Sequence, residues 1–97
     1  MNKEAIEAYK QAVGIDPDYA GAYNNLGSAY GNLGEYKKAI EAYKQSIRIN
    51  PNDEMVHFNI GYAYTFLNDK GSALVQYKIL KTLDPELANK LFDSIYE

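Results

Sequence analysis

Apolar side chains recur at three- and four-residue spacing along most of this chain, the period of a helix with one buried face. Over residues 20–33 the stripe is Tyr23, Leu26, Tyr30 and Leu33, and Gly34 follows as a stop. Glycine enters the left-handed conformation that closes many helices. From Glu35 to Ile49 the stripe is Tyr36, Ala39, Ile40, Tyr43 and Ile47, with Lys37, Lys38, Glu41, Lys44 and Arg48 opposite. Asn50-Pro51-Asn52 breaks that helix, because proline disfavours helical backbone in the residue before it. The plan continues with helices near 54–67 and 70–83, a turn at Asn68-Asp69 and a break at Asp84-Pro85. The chain opens on a helix near 2–15, ended at Asp16-Pro17. It closes on one near 86–96 whose apolar side is Leu87, Leu91, Phe92 and Ile95. No strand pattern interrupts the series, so the expected class is all-α.

The helices are copies of one another. Ala5-Ile6-Glu7-Ala8-Tyr9-Lys10-Gln11 recurs letter for letter as Ala39-Ile40-Glu41-Ala42-Tyr43-Lys44-Gln45, 34 residues later. Pro17, Pro51 and Pro85 keep the same offset. So do the pairs Asn25 and Asn59, Gly27 and Gly61, Tyr30 and Tyr64, Leu33 and Leu67, Ala39 and Ala73, Tyr43 and Tyr77. A fixed period of this length marks a repeat architecture, in which each unit is one supersecondary element stacked on the next. Small residues at Gly27, Ala39, Gly61 and Ala73 permit close helix approach, while Tyr30, Tyr43, Tyr64 and Tyr77 fill the spaces between.

These residues resemble the tetratricopeptide repeat. Tyr23, Leu26-Gly27, Tyr30, Gly34, Tyr36, Ala39, Tyr43, Ser46 and Pro51 fill that family's pattern in the middle unit. The third unit is looser, with His57, Ile60, Asn68, Lys70 and Leu80 at places where the pattern asks for an aromatic, Leu, Gly, Tyr and a small residue. The resemblance implies a right-handed superhelical array of antiparallel helix hairpins, an α-solenoid. Residues 1–97 then form a single domain: a half repeat at 1–19, repeats at 20–53 and 54–87, and a closing helix at 88–97.

Composition narrows the chemistry. The chain has 97 residues, 46% of them hydrophobic, with ten tyrosines, no cysteine and one histidine. Without cysteine there is no thiolate catalysis and no Cys-based metal site. His57 stands where the repeat wants a packing aromatic, and no second His completes a zinc site. Asp16-Pro17-Asp18 and Asn52-Asp53-Glu54 do not match a calcium loop and read instead as helix caps. No catalytic residue, cofactor or metal is expected, and the chain does not read as an enzyme. The net charge of −3 without a basic block argues against nucleic acid and anionic membranes as partners. No apolar run spans a membrane and no signal segment is visible, which leaves the compartment unassigned with the cytoplasm as default.

The resemblance implies a protein or peptide partner held in a concave groove lined by the first helix of each unit. On helix 20–33 the side away from the tyrosines offers Asn24, Ser28, Gly31 and Asn32; on helix 54–67 it offers Met55, Phe58, Tyr62, Thr65 and Phe66. Such an apolar row either packs under the closing helix or forms a groove wall for an apolar peptide face. The family's carboxylate-clamp mode needs basic residues, and the matching places hold Asn24, Asn25, Ser28, Met55 and Asn59. Asn25 and Asn59 are expected to hydrogen-bond between adjacent helices. The first helix lacks a preceding partner, so Ile6, Tyr9, Ala12 and Val13 are expected to be exposed. That favours a homo-oligomer formed through Ile6, Tyr9 and Val13 as a rival function, unless further chain upstream covers them.

Overall fold

The computed structural model describes residues 2–97, and every regular element among them is a helix. In chain order these are α1 (Asn2–Ile15), α2 (Ala20–Asn32), α3 (Tyr36–Ile49), α4 (Glu54–Phe66), α5 (Lys70–Leu83) and α6 (Pro85–Tyr96). Each helix packs on its neighbour in sequence, and α4 also packs on α6. The result is a stack of antiparallel hairpins, an all-α solenoid measuring 36 × 25 × 18 Å.

The hairpin turns repeat in geometry although their residues differ. Gly34, at φ 77°, follows α2, and Asn68, at φ 58°, occupies the same place after α4. In each, two N–H groups return to the carbonyls of the last helical turn. Glu35 N donates to Tyr30 O at 3.0 Å and Gly34 N to Gly31 O at 2.9 Å; Asp69 N donates to Tyr64 O at 3.0 Å and Asn68 N to Thr65 O at 3.1 Å. Asparagine replaces glycine here because its short polar side chain tolerates the left-handed region.

Helix starts are capped by aspartate where one is available. Asp53 accepts from Met55 N, Asp69 from Ser72 N, and Asp84 from Glu86 N and Leu87 N. At α2 the expected cap is absent. Asp16 folds back onto Asp18 N, and Tyr19 stands at the cap position without a side-chain bond. The 34-residue offset pairs Tyr19 with the capping Asp53, so the cap position of α2 holds no carboxylate.

The tightest interface lies between α2 and α3. A Cβ added at Gly27 would come 2.5 Å from the Tyr43 ring, so only glycine fits there. The ring's hydroxyl lies 3.1 Å from Ser28 Oγ, and Ser46 Oγ donates to the Ala20 carbonyl at 3.0 Å. In the next hairpin Gly61 does a different job, since a Cβ there would meet Leu91 of α6 at 2.6 Å. The core follows these contacts. One cluster joins Ala39, Ile40, Tyr43, Val56, Ile60 and Ala63; another joins Ala73, Leu80, Ala88, Leu91 and Ile95.

One expectation about the core is corrected. The Tyr/Leu stripe of α2 is only partly inside: Leu26 is buried, Tyr23 and Tyr30 are half-buried and Leu33 is exposed. The close contacts are instead made by Ala22, Gly27 and Ala29. Half-burial suits tyrosine, whose ring is apolar and whose hydroxyl is polar. His57 is buried at 4% exposure, with Nε2 donating to the Pro51 carbonyl at 2.6 Å and Nδ1 2.7 Å from the Gln76 side-chain amide. Both ring nitrogens are engaged in structural contacts.

Glycine substitutions should divide by position. Gly27→Ala is expected to destabilise by about 1–3 kcal/mol, because the Tyr43 ring must move. Gly14→Ala, which meets nothing within 4 Å in the last turn of α1, should stabilise by about 0.5–1 kcal/mol. Urea unfolding of the two variants against wild type measures both signs.

Candidate partner-binding groove

Helices α2, α4 and α6 lie side by side and turn one face outward. Ser28 and Asn32 of α2 and Tyr62 and Phe66 of α4 line one cavity of about 470 Å3, with Tyr36 and Asn59. Asn24 lies in the same row, where it accepts a hydrogen bond from Asn59 Nδ2 at 3.2 Å and ties α2 to α4. None of the residues lining this cavity carries a charged side chain.

The α4 side of the groove is an aromatic series. Tyr36, reaching over from the first turn of α3, stacks on Phe66 with ring centroids 4.6 Å apart and planes 2° apart. Phe66 meets Tyr62 edge-on at 5.0 Å, and Tyr62 in turn stacks on Phe58 at 6.0 Å. Such pairs hold one another in fixed geometry and contribute about 0.5–1.5 kcal/mol each beyond the area they bury. Tyr62 and Phe66 nonetheless keep 44% and 49% of their surface exposed.

Among the expected groove residues, the structure brings Ser28, Asn32, Tyr62 and Phe66 together around the cavity and places Asn24 beside it. Met55 is half exposed at the start of α4 and does not reach the cavity. Phe58 needs correction as a freely exposed wall residue. It is half-buried and packs against the α5–α6 cluster, because the closing helix covers that part of α4. Asn25, expected to bond between helices, is exposed; Asn59 makes its bond with Asn24 instead.

The groove extends further than the expectation. Phe92 and Tyr96 lie 34 residues after Phe58 and Tyr62, so α6 presents the same row as α4. Phe92 was expected on the buried side of α6 but is 41% exposed. It packs on Tyr77 at 5.3 Å and on Tyr96 at 4.7 Å. A second cavity of about 470 Å3 opens between Tyr62 and Phe66 on one side and Tyr96 and Ile95 on the other, with Lys70 at its edge. The signal was the repeat offset itself, carried one helix further.

The expected exposure of Ile6 on α1 is corrected. Ile6 is 6% exposed and belongs to a cluster with Leu26, Ala29 and Ala42, while Tyr9 and Val13 are half-buried. Packing on α2 takes up Ile6 and part of Tyr9. The outward side of α1 carries Lys3, Glu4, Glu7 and Gln11, which water solvates well.

With this geometry in view, the chain's relations are clear. The family model described as tetratricopeptide repeat matches residues 20–53, and a TPR repeat model matches residues 2–34. The chain belongs to the tetratricopeptide repeat family. No curated protein matches it. Among solved structures, a MamA structure is similar with 33% identity and a TM-score of 0.83 over 91% of this chain and 52% of its own. The MamA structure from AMB-1 has 26% identity and a TM-score of 0.82, covering 86% of this chain and 49% of its own. This chain thus spans about half the length of those relatives. The first TPR of Spaghetti, solved bound to the HSP90 peptide SRMEEVD, shares the fold with 24% identity and a TM-score of 0.87, over 96% of this chain and 76% of its own. Among the described residues no helix is long and apolar enough to cross a membrane.

Burial raises the Tyr43 phenol above its ordinary value, with the Ser28 hydrogen bond partly opposing the shift. The unfolded chain therefore ionises this group first. The stability it contributes is complete below about pH 10 and declines as pH rises further. Tyr43→Phe should remove that part of the alkaline loss while costing about 1 kcal/mol at neutral pH for the broken bond to Ser28. Unfolding curves at pH 7 and above pH 10 compare the two proteins.

Proposed function

We propose that this chain is a binding module that holds a partner peptide along the face of α2, α4 and α6. The supporting observation is the uncharged cavity between Ser28 and Asn32 on one side and the exposed Tyr62–Phe66 edge on the other. A peptide laid there places an apolar side chain against the rings, while Ser28 and Asn32 meet its backbone amides. Rings already fixed by stacking lose little freedom on binding, which favours affinity per contact. The structural neighbour solved with SRMEEVD bound is a precedent for a peptide on this fold. That peptide is acidic and ends in a carboxylate, whereas Asn24, Asn25, Ser28, Met55 and Asn59 offer no positive charge at the places expected to clamp one. The preferred ligand here is neutral and apolar.

The test is selection of peptides from a displayed random library on the wild-type protein, followed by affinity measurement on variants. Phe66→Glu should weaken the selected peptides by about tenfold or more, through loss of an aromatic anchor worth roughly 1.5–3 kcal/mol. Its circular dichroism should match wild type, since Phe66 is half exposed. Phe58→Glu, which buries a charge against the α5–α6 cluster, should instead lower stability. Full affinity in folded Phe66→Glu would refute the groove.

A further inference from the structure

The side of α2 opposite Asn24 and Ser28 carries a separate opening. It is a cavity of about 570 Å3 between α1 and α3, floored by Tyr23, Leu26 and Tyr30 and rimmed by Lys10, Lys37 and Lys38. The repeat supplies its own control for this feature. Shifted by 34 residues, Tyr23 becomes His57, Leu26 becomes Ile60 and Ala42 becomes Gln76, while Lys37 and Lys38 become Gly71 and Ser72. In that second copy the space is plugged. Gln76 reaches the buried His57 ring at 2.7 Å, and Ile60 is 1% exposed. In the first copy Ala42 is too short to fill the gap, Tyr23 stays half-buried, and the floor remains open. Packing of the hairpins does not require the opening, since the second copy packs without one.

Its electrostatics are as distinctive as its shape. The chain as a whole carries −3, yet three lysines and a single carboxylate, Glu41, line this site. Lys38 pairs with Glu35 at 3.3 Å and lies 5.7 Å from the Tyr30 ring centre. Among the described residues Lys10 and Lys37 form no ion pair.

We propose that this opening is a second docking site, taking an acidic peptide segment that presents a leucyl or aromatic side chain. The side chain enters over Tyr23, Leu26 and Tyr30, and flanking carboxylates meet Lys10 and Lys37. Rim charges of this kind steer and orient a ligand whose apolar anchor supplies the contact area. An apolar floor of three side chains matches one projecting side chain better than a bilayer, and three lysines are few for a nucleic-acid track.

The probe is an end-capped Asp-Glu-Leu-Phe-Glu-Asp peptide, with an Asn/Gln twin as its neutral counterpart, titrated by fluorescence anisotropy. The acidic peptide should bind wild type more tightly than its twin, and more weakly as salt rises. Lys10→Glu combined with Lys37→Glu should cost about fivefold or more; both side chains are exposed, so the fold is untouched. The Tyr23→His, Ala42→Gln graft, which reproduces the plug of the second copy, should abolish binding with every lysine in place. Phe66→Glu should leave this site unchanged while disabling the groove, so the two sites fail independently. The proposal is overturned by absence of acidic-peptide binding to wild type, by equal binding of the neutral twin, or by insensitivity to the lysine reversals. It is also overturned if phosphatidylserine vesicles sediment the protein through the same lysines while the peptide does not bind. Should the graft unfold, the lysine variants decide.

Discussion

The Tyr43 ring occupies the space where a side chain at Gly27 would begin, and the rest of the structure follows from that contact. It sets the distance between α2 and α3 and places Ser28 within reach of the Tyr43 hydroxyl. It leaves Asn24, Ser28 and Asn32 on the outward side of α2, because the inward side is filled. Gly61 extends the same logic to the closing helix, since its missing side chain admits Leu91 and lets α6 lie against α4. Close approach of backbones through small residues is what lets three helices lie in one row.

That row is graded rather than uniform. Its α2 side is amide and hydroxyl, its α4 and α6 sides are aromatic, and no charge lies in the cavity between α2 and α4. Exposed aromatic surface is costly for a protein that does not use it. Here it is also held rigid, as Tyr36 braces Phe66 from α3 and Tyr77 braces Phe92 from α5. The opposite face of α2 has another character, with lysines around an apolar floor. One hairpin thus separates neutral and cationic chemistry onto its two sides.

Helix boundaries were almost wholly legible in the sequence, because prolines, Gly34 and Asn68 punctuate a strict period. The family was equally legible from the recurring seven-residue word. What the period could not reveal is how far each ring sinks. Tyr23, Tyr30 and Tyr43 all stand at repeat positions, yet only Tyr43 is buried, since only it meets a glycine. Phe58 and Phe92 were mistaken in opposite directions for a related reason. Their exposure depends on where α6 comes to rest, and Gly61 determines that through a contact remote in sequence. Ile6 belongs to a core that only assembly of α1, α2 and α3 creates.

The most direct test of the account is to locate a library-selected peptide on the protein by amide chemical-shift mapping. The groove predicts the largest shifts at Ser28, Asn32, Tyr62 and Phe66, continuing to Phe92 on the closing helix. A neutral, apolar selected peptide that leaves those residues silent would contradict it.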